Sequence, residues 1–243
     1  MLTVQRGAVK ALSVPFFSYT GLAADGSGGD GRNSGNRMNN DSSDKYVVTI
    51  TRQFGSLGRP IARKLSETLG IQFYDRDIVE QTSQKMGLPI SVISKNEEEY
   101  GGAYAAMRFP LGTTSRARQD EIFAVQSEII RSLASRESCV IVGRCADYVL
   151  RDCPNTLNIY IFAPAEDRIR NSIETLRMDE ETAMKMVLEV DRARKKYRDR
   201  YADYGSDGLA CHHLLINSSY FGIDGTAELI ADIVRKKFAV GTD

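Results

Sequence analysis

From Tyr46 onward, short apolar runs rich in β-branched residues alternate with longer stretches whose apolar positions recur at helical spacing. Residues 46–51 (YVVTIT) read as a buried strand. Residues 58–69 carry Ile61, Ala62, Leu65 and Leu69 on one helical face, and Gly70 follows where a left-handed C-cap is favoured. A second short strand is predicted over 71–74, ending at Asp75, with a helix over 77–86 that Gly87 and Pro89 stop. Ile122, Phe123, Val125, Ile129, Ile130 and Leu133 mark a helix over 119–135. A third strand over 138–142 is stopped by Gly143, and a short helix over 145–151 follows. A fourth strand is expected over 156–163 and a fifth over 212–217, separated by two charged helices, 165–177 and 179–204, that form a hairpin. Ile223, Ala227, Ile230, Val234 and Phe238 give the buried stripe of a closing helix over 224–238. Residues 95–118, charged and then rich in Gly, Ala and Tyr, read as a mobile insertion.

Strands that alternate with helices pair in parallel through right-handed crossovers, and apolar runs without clean alternation belong to strands covered on both faces. The expected fold is therefore α/β, a three-layer sandwich on a sheet of about five parallel strands. Residues 1–45 differ in kind. Residues 23–45 are dominated by Gly, Ser, Asn and Asp and hold almost nothing to bury, so this extension is expected to be disordered, with residues 46–243 forming the folded part.

Composition narrows the function. Among 243 residues, 32 Lys and Arg balance 32 Asp and Glu, which argues against a general nucleic-acid backbone binder. No run approaches a membrane span. The four cysteines form no C-x-x-C pair and the only histidines are His212 and His213, so buried thiols of a cytoplasmic protein and a structural imidazole at a strand start are the simpler reading.

In sheets of this kind ligands bind at the carboxyl ends of the strands. The first such end reads Arg52-Gln53-Phe54-Gly55-Ser56-Leu57-Gly58-Arg59-Pro60. A glycine-bearing turn into a helix aims backbone N–H groups and a helix amino end at one point, which suits phosphate. Arg59 stands where a phosphate-loop lysine would reach the β- and γ-phosphates, and Pro60 is tolerated in a first helical turn. Asp75 and Arg76 end the second strand, Arg144 and Asp147 follow the third, and Arg168 and Arg170 follow the fourth. Between Arg192 and Arg200 six basic residues face one acid, too one-sided for self-pairing, and Asp191, Arg194 and Arg198 share a helical face there.

The ordered series VTITRQFGSLGRPIARKLSETLGIQFYDRDIV, VIVGRCADYVL, IYIFAPAEDRIRN, DRARKKYRDRY and LLINSSYFGID resembles the cytidylate kinase-like family, P-loop relatives of bacterial cytidylate kinase, over residues 46–238. The resemblance implies a P-loop nucleoside triphosphate hydrolase-type fold with a helical lid, ATP and Mg²⁺ as cofactors, and a small-molecule nucleotide, CMP or dCMP, as phosphate acceptor. It matches residues 55–60 to the phosphate loop, Asp75, Arg144, Asp147, Asp191 and Arg194 to the acceptor site, and Arg168 and Arg170 to the entry of the lid. Together with the charges at the strand ends, the expectation is Arg52 and Gln53 beside the loop at the ATP phosphates, Arg76 at the acceptor, and Arg59, Arg168, Arg170, Arg194 and Arg198 as the catalytic cations. The chain departs from the standard loop G-x-x-x-x-G-K-[ST]: Gln53 replaces the first Gly, Arg59 the Lys, and Pro60 the hydroxyl residue that ligates Mg²⁺. Glu80 and Gln81 stand where cytidylate kinases carry a tyrosine–arginine pair. Two readings follow: a phosphotransferase, or a non-catalytic nucleotide-binding regulator on a kinase fold. An RNA-binding role for the 192–200 run ranks last.

Overall fold

The structure, a computed structural model, describes residues 45–93, 116–203, 209 and 211–239. The disorder expected of residues 1–45 falls outside the described residues except at Lys45, and the insertion expected over 95–118 does so up to residue 115, whereas residues 116–118 are helical. In chain order the elements are β1 (Val47–Arg52), α1 (Gly58–Leu69), β2 (Gln72–Tyr74), α2 (Arg76–Met86), α3 (Ile90–Ile93), α4 (Arg116–Arg136), β3 (Cys139–Val142), α5 (Ala146–Val149), β4 (Thr156–Phe162), α6 (Ala165–Leu176), α7 (Glu180–Tyr201), β5 (Leu214–Asn217) and α8 (Ser218–Phe238).

The five strands form one parallel sheet in the order β2-β3-β1-β4-β5. Successive side chains of a strand point to opposite faces, and here both faces are covered. Val48, Ile50, Val140 and Val142 pack with Ile61 and Leu65 of α1 and Ile230 and Val234 of α8. Val47, Cys139 and Ile141 pack on the other face with Ile78 of α2, Ile130 and Leu133 of α4 and Val149 after β3. That is the expected three-layer sandwich. β1 lies at the centre, with Val47–Ile50 in register with Cys139–Val142 and Val47–Arg52 in register with Thr156–Ile161. No described helix is long and apolar enough to cross a membrane.

The closing helix begins earlier than its apolar stripe predicts. Asn217 caps it by accepting from Ser219 N at 3.0 Å, and the helix is broken at Gly222, whose backbone is left-handed (φ 66°). Tyr220 and Phe221 in that first turn are exposed, which is why no buried stripe announces it. The short helix α3 was hidden for a similar reason: one turn holds too few positions to show a period.

Candidate functional site

The loop from Gln53 to Leu57 is fixed from both sides. Gln53 N donates to Ile161 O (3.0 Å), and its side-chain Oε1 accepts from Ala163 N (3.2 Å), holding the end of β1 to β4. Gly55 is left-handed (φ 72°) and lies against α6, where a methyl would collide with the Arg168 carbonyl. Asn171 Nδ2 donates to Gly55 O at 2.9 Å. Leu57, also left-handed (φ 59°), is the N-cap of α1, an uncommon conformation for a residue with a Cβ and one that concentrates at binding sites. The buried Ser56 hydroxyl donates to Gln53 O (2.9 Å) within the loop. What remains exposed is backbone and the amino end of α1, the geometry that suits an anion.

This loop opens on a cavity of about 320 Å³ lined from three strand ends: Arg52 and Arg59 from the β1 turn, Asp75 and Arg76 after β2, and Arg144 after β3. Gly143, Arg144 and Cys145 are all left-handed (φ 76°, 58° and 51°), a tight turn that starts α5. Arg194 reaches the cavity from α7. Arg59 leans away from the loop, its Nε 2.6 Å from Asp75 Oδ2, and its side chain is 44% exposed. The other arginines are more confined. Burial lowers the pKa of Arg52, against the pull of Asp75 and Asp191. Burial, with a smaller push from Arg52 and Arg59 and against the pull of Asp75, brings Arg144 down to about 10. Burial lowers Arg194 well below its ordinary value, and Arg52 adds to the effect. Cations that destabilise one another in a cavity are relieved by an incoming anion.

The α6–α7 hairpin is laced onto the loop rather than hung beside it. Asp191 Oδ1 accepts from Phe54 N at 2.7 Å, and its Oδ2 pairs with Arg168 Nη1, which also donates to Phe54 O (3.4 Å). Arg194 Nη1 donates to Arg52 O at 2.8 Å. The Phe54 side chain is buried against Met186, Val187 and Val190 of α7. Burial raises the Asp191 carboxyl, with Phe54 N–H and Arg168 pulling the other way.

A second ionic group does not line this cavity. Asp147, 1% exposed, accepts from Arg198 Nη1 (2.9 Å) and lies 3.4 Å from His212 Nε2. Arg198 also donates to Thr51 Oγ1 (3.2 Å) and to Cys211 Sγ (3.5 Å). Burial pulls the His212 imidazole down, but Asp147 and Cys211 outweigh it and hold its pKa at about 9. Asp147, Cys211 and His212 bring ligand atoms within 4.8 Å of one another, a set that zinc accepts. The cation already seated there is the Arg198 guanidinium, which spans the carboxylate and the sulfur.

The structure therefore gathers Arg52, Gln53, Gly55, Leu57, Gly58, Arg59, Pro60, Asp75, Arg76, Arg144 and Arg194 around one cavity. It places the other candidates elsewhere. Ser56 and Arg168 are buried supports of the loop, and Asp191 is its anchor. Arg170 pairs with Asp167 on the exposed side of α6. Asp147 and Arg198 belong to the second group. Sequence reasoning missed Asn171 and Thr175, which line the cavity from α6. Their spacing from Arg168 (i+3, i+7) was the available signal. It also missed the walls made by Val79 and Ile90, and Glu80, noted only as a departure from the cytidylate kinases, lines the cavity beside them.

A cytidylate kinase of Methanococcus aeolicus is 30% identical over 199 residues, covering 79% of this chain and 98% of that protein. Those of Archaeoglobus fulgidus and Methanocaldococcus jannaschii are 24% and 21% identical over similar spans. Among solved structures, an uncharacterized protein from Eubacterium ventriosum superimposes with a TM-score of 0.59 at 24% identity, over 78% of this chain and 98% of that one, a likeness of fold. Residues 47–220, most of the described sequence, match the cytidylate kinase-like family, and the chain belongs to it.

Proposed function

We propose that the protein is a cytoplasmic ATP-dependent phosphotransferase whose acceptor is a nucleoside monophosphate such as CMP or dCMP. The observation that carries the reading is the cavity at the ends of β1, β2 and β3, where a glycine turn and five arginines face two carboxylates, Asp75 and Glu80. An acceptor phosphate oxygen attacks the γ-phosphorus, the bond to the β-phosphate oxygen breaks, and ADP leaves. Such transfers depend on positioning and on neutralising charge over the phosphoryl oxygens. The loop and the amino end of α1 suit the triphosphate. Asp75, Arg76, Arg144 and the walls from Val79, Glu80 and Ile90 suit the acceptor. The archaeal relatives, named as cytidylate kinases, favour a cytosine nucleotide. No nucleic acid or membrane partner is part of this reading.

Mg²⁺ fits the protein side of the cavity poorly. The position that supplies a hydroxyl ligand in the standard loop is Pro60, and the buried carboxylate Asp75 holds Arg59. This favours the second reading, a nucleotide-binding regulator without turnover. The test is phosphotransfer from ATP to CMP, dCMP, UMP and AMP, with nucleotide binding measured by calorimetry on the same sample. Turnover of a pyrimidine monophosphate is expected. Nucleotide binding with no turnover of any acceptor would select the regulator.

A further inference from the structure

We infer that Arg52, at the end of β1, is the catalytic phosphate ligand of this cavity, standing in for both the loop lysine and a protein-held metal. The inference rests on the phosphotransfer reading.

Three features of the structure support it. First, the path of the Arg52 side chain is built by glycines from two separate segments. A Cβ on Gly58 would lie 2.6 Å from Arg52 Cβ, and a Cβ on Gly143 would collide with Arg52 Nη1. Gly58, which opens α1, leaves room for the Cβ and Cγ at the root of the Arg52 side chain, and Gly143, which follows β3, leaves room for the guanidinium at its tip. Gly143 also needs its positive φ, but Gly58 has no such need. Its lack of a side chain is explained by the passage of Arg52.

Second, the partners of the cavity's charges are divided so that Arg52 is left over. Asp75 is taken by Arg59. Asp191 is taken by Arg168, Arg194 and the Phe54 N–H. Among the described residues the Arg52 guanidinium forms no ion pair, although both carboxylates attract it. Its own carbonyl accepts from Arg194, which pins the backbone from which the side chain departs. A half-buried cation held in place without a carboxylate partner is poised for an external anion.

Third, the residue at the lysine position is occupied elsewhere. Arg59 Nε holds Asp75, and the Arg59 side chain is 44% exposed. Arg52 ends β1 and Arg144 follows β3, its neighbour in the sheet, and both line the cavity. A planar guanidinium gives two parallel N–H donors to two phosphate oxygens, which a lysine cannot do. Charge that a metal would neutralise is met by fixed cations. It follows that triphosphate binding should persist without a divalent cation.

The experiment measures binding of β,γ-imido-ATP and of inorganic tripolyphosphate by calorimetry, in Mg²⁺ and in EDTA, on the full chain. In wild type, affinity is expected to change less than about threefold on removing Mg²⁺. Arg52→Ala should weaken both ligands about 30-fold or more in either buffer. Arg52→Lys should recover only part of this loss, and millimolar guanidinium should restore binding to the alanine variant. Thermal melts check that each variant folds. Arg52→Ala binding within threefold of wild type, or wild-type binding lost on adding EDTA, would overturn the inference. The outcomes separate it from the broader reading. Triphosphate binding through Arg52 with no acceptor turned over leaves the inference standing and removes the kinase. Turnover that survives Arg52→Ala does the reverse.

Discussion

Thr51 and Arg52 are neighbours on β1, and their side chains leave the strand toward opposite faces. Each enters a group of buried charge, and the two groups are built on opposite plans. On the Thr51 side, Arg198 and the His212 imidazolium close on Asp147, with Cys211 accepting from the same guanidinium. On the Arg52 side, Arg52, Arg144 and Arg194 crowd a cavity whose buried carboxylate, Asp75, is held by Arg59, while Arg194 also lies 3.7 Å from Asp191. The closed group pairs its charges within itself and so ties β1, α5, α7 and the segment before β5 together. The open group carries positive charge at a cost to the free protein, and that charge is of use only when an anion arrives. Charge matching, more than the number of arginines, separates the closed cluster from the one proposed to bind phosphate.

Deleting the acid of the closed group should produce the largest effect. Asp147→Ala leaves Arg198 and a protonated His212 without their carboxylate, and loss of one partner from a buried pair costs about 3–5 kcal/mol. Denaturant unfolding would show it, and a loss below about 1 kcal/mol would mean that the group is not the brace described here. The same group gives a pH signature somewhat smaller in size. The His212 pKa stands at about 9 in the folded chain against an ordinary value of 6.5. A raised folded value means that folding takes up a proton. The stabilisation is fully present below pH 6.5 and is lost as the pH rises through about 9. Across that window it amounts to about 3 kcal/mol. Unfolding free energies at pH 6 and pH 9.5 measure it, and the difference should shrink in Asp147→Ala.

Much of the frame for both groups could be read from local pattern. The β-branched run before Arg52, the glycine turn and the stripe Ile61-Ala62-Leu65 locate β1, the loop and α1 to within a residue or two. The strand ends could be listed, and the cavity draws on three of them. Which arginine serves which group could not. Arg59 has lysine spacing in the sequence, but its pairing with Asp75 depends on how β2 ends beside the turn. Arg168 reads as a ligand for phosphate and is instead a buried support for the Phe54 carbonyl. Arg198 looks like part of a basic surface run, and its partner Asp147 is 51 residues away. Local spacing encodes elements, whereas the sorting of like charges between two sites is set by tertiary contacts alone.

The smallest expected change in stability is the sharpest test of the contrast. Arg144 sits in the open group at a left-handed backbone position (φ 58°), with its pKa brought down to about 10 by burial. Methionine has similar length and adopts that backbone no worse. Arg144→Met removes a cation from a cavity already crowded with them, so the free protein should lose no more than about 1 kcal/mol and could gain that much. Tripolyphosphate affinity should fall about tenfold or more, the scale of one charged hydrogen bond. The pairing of unchanged stability with weakened anion binding is what an open cationic site predicts. If Arg144→Met instead unfolds the protein as severely as Asp147→Ala, then Arg144 is a brace like Arg198, and the two sides of β1 do not differ in kind.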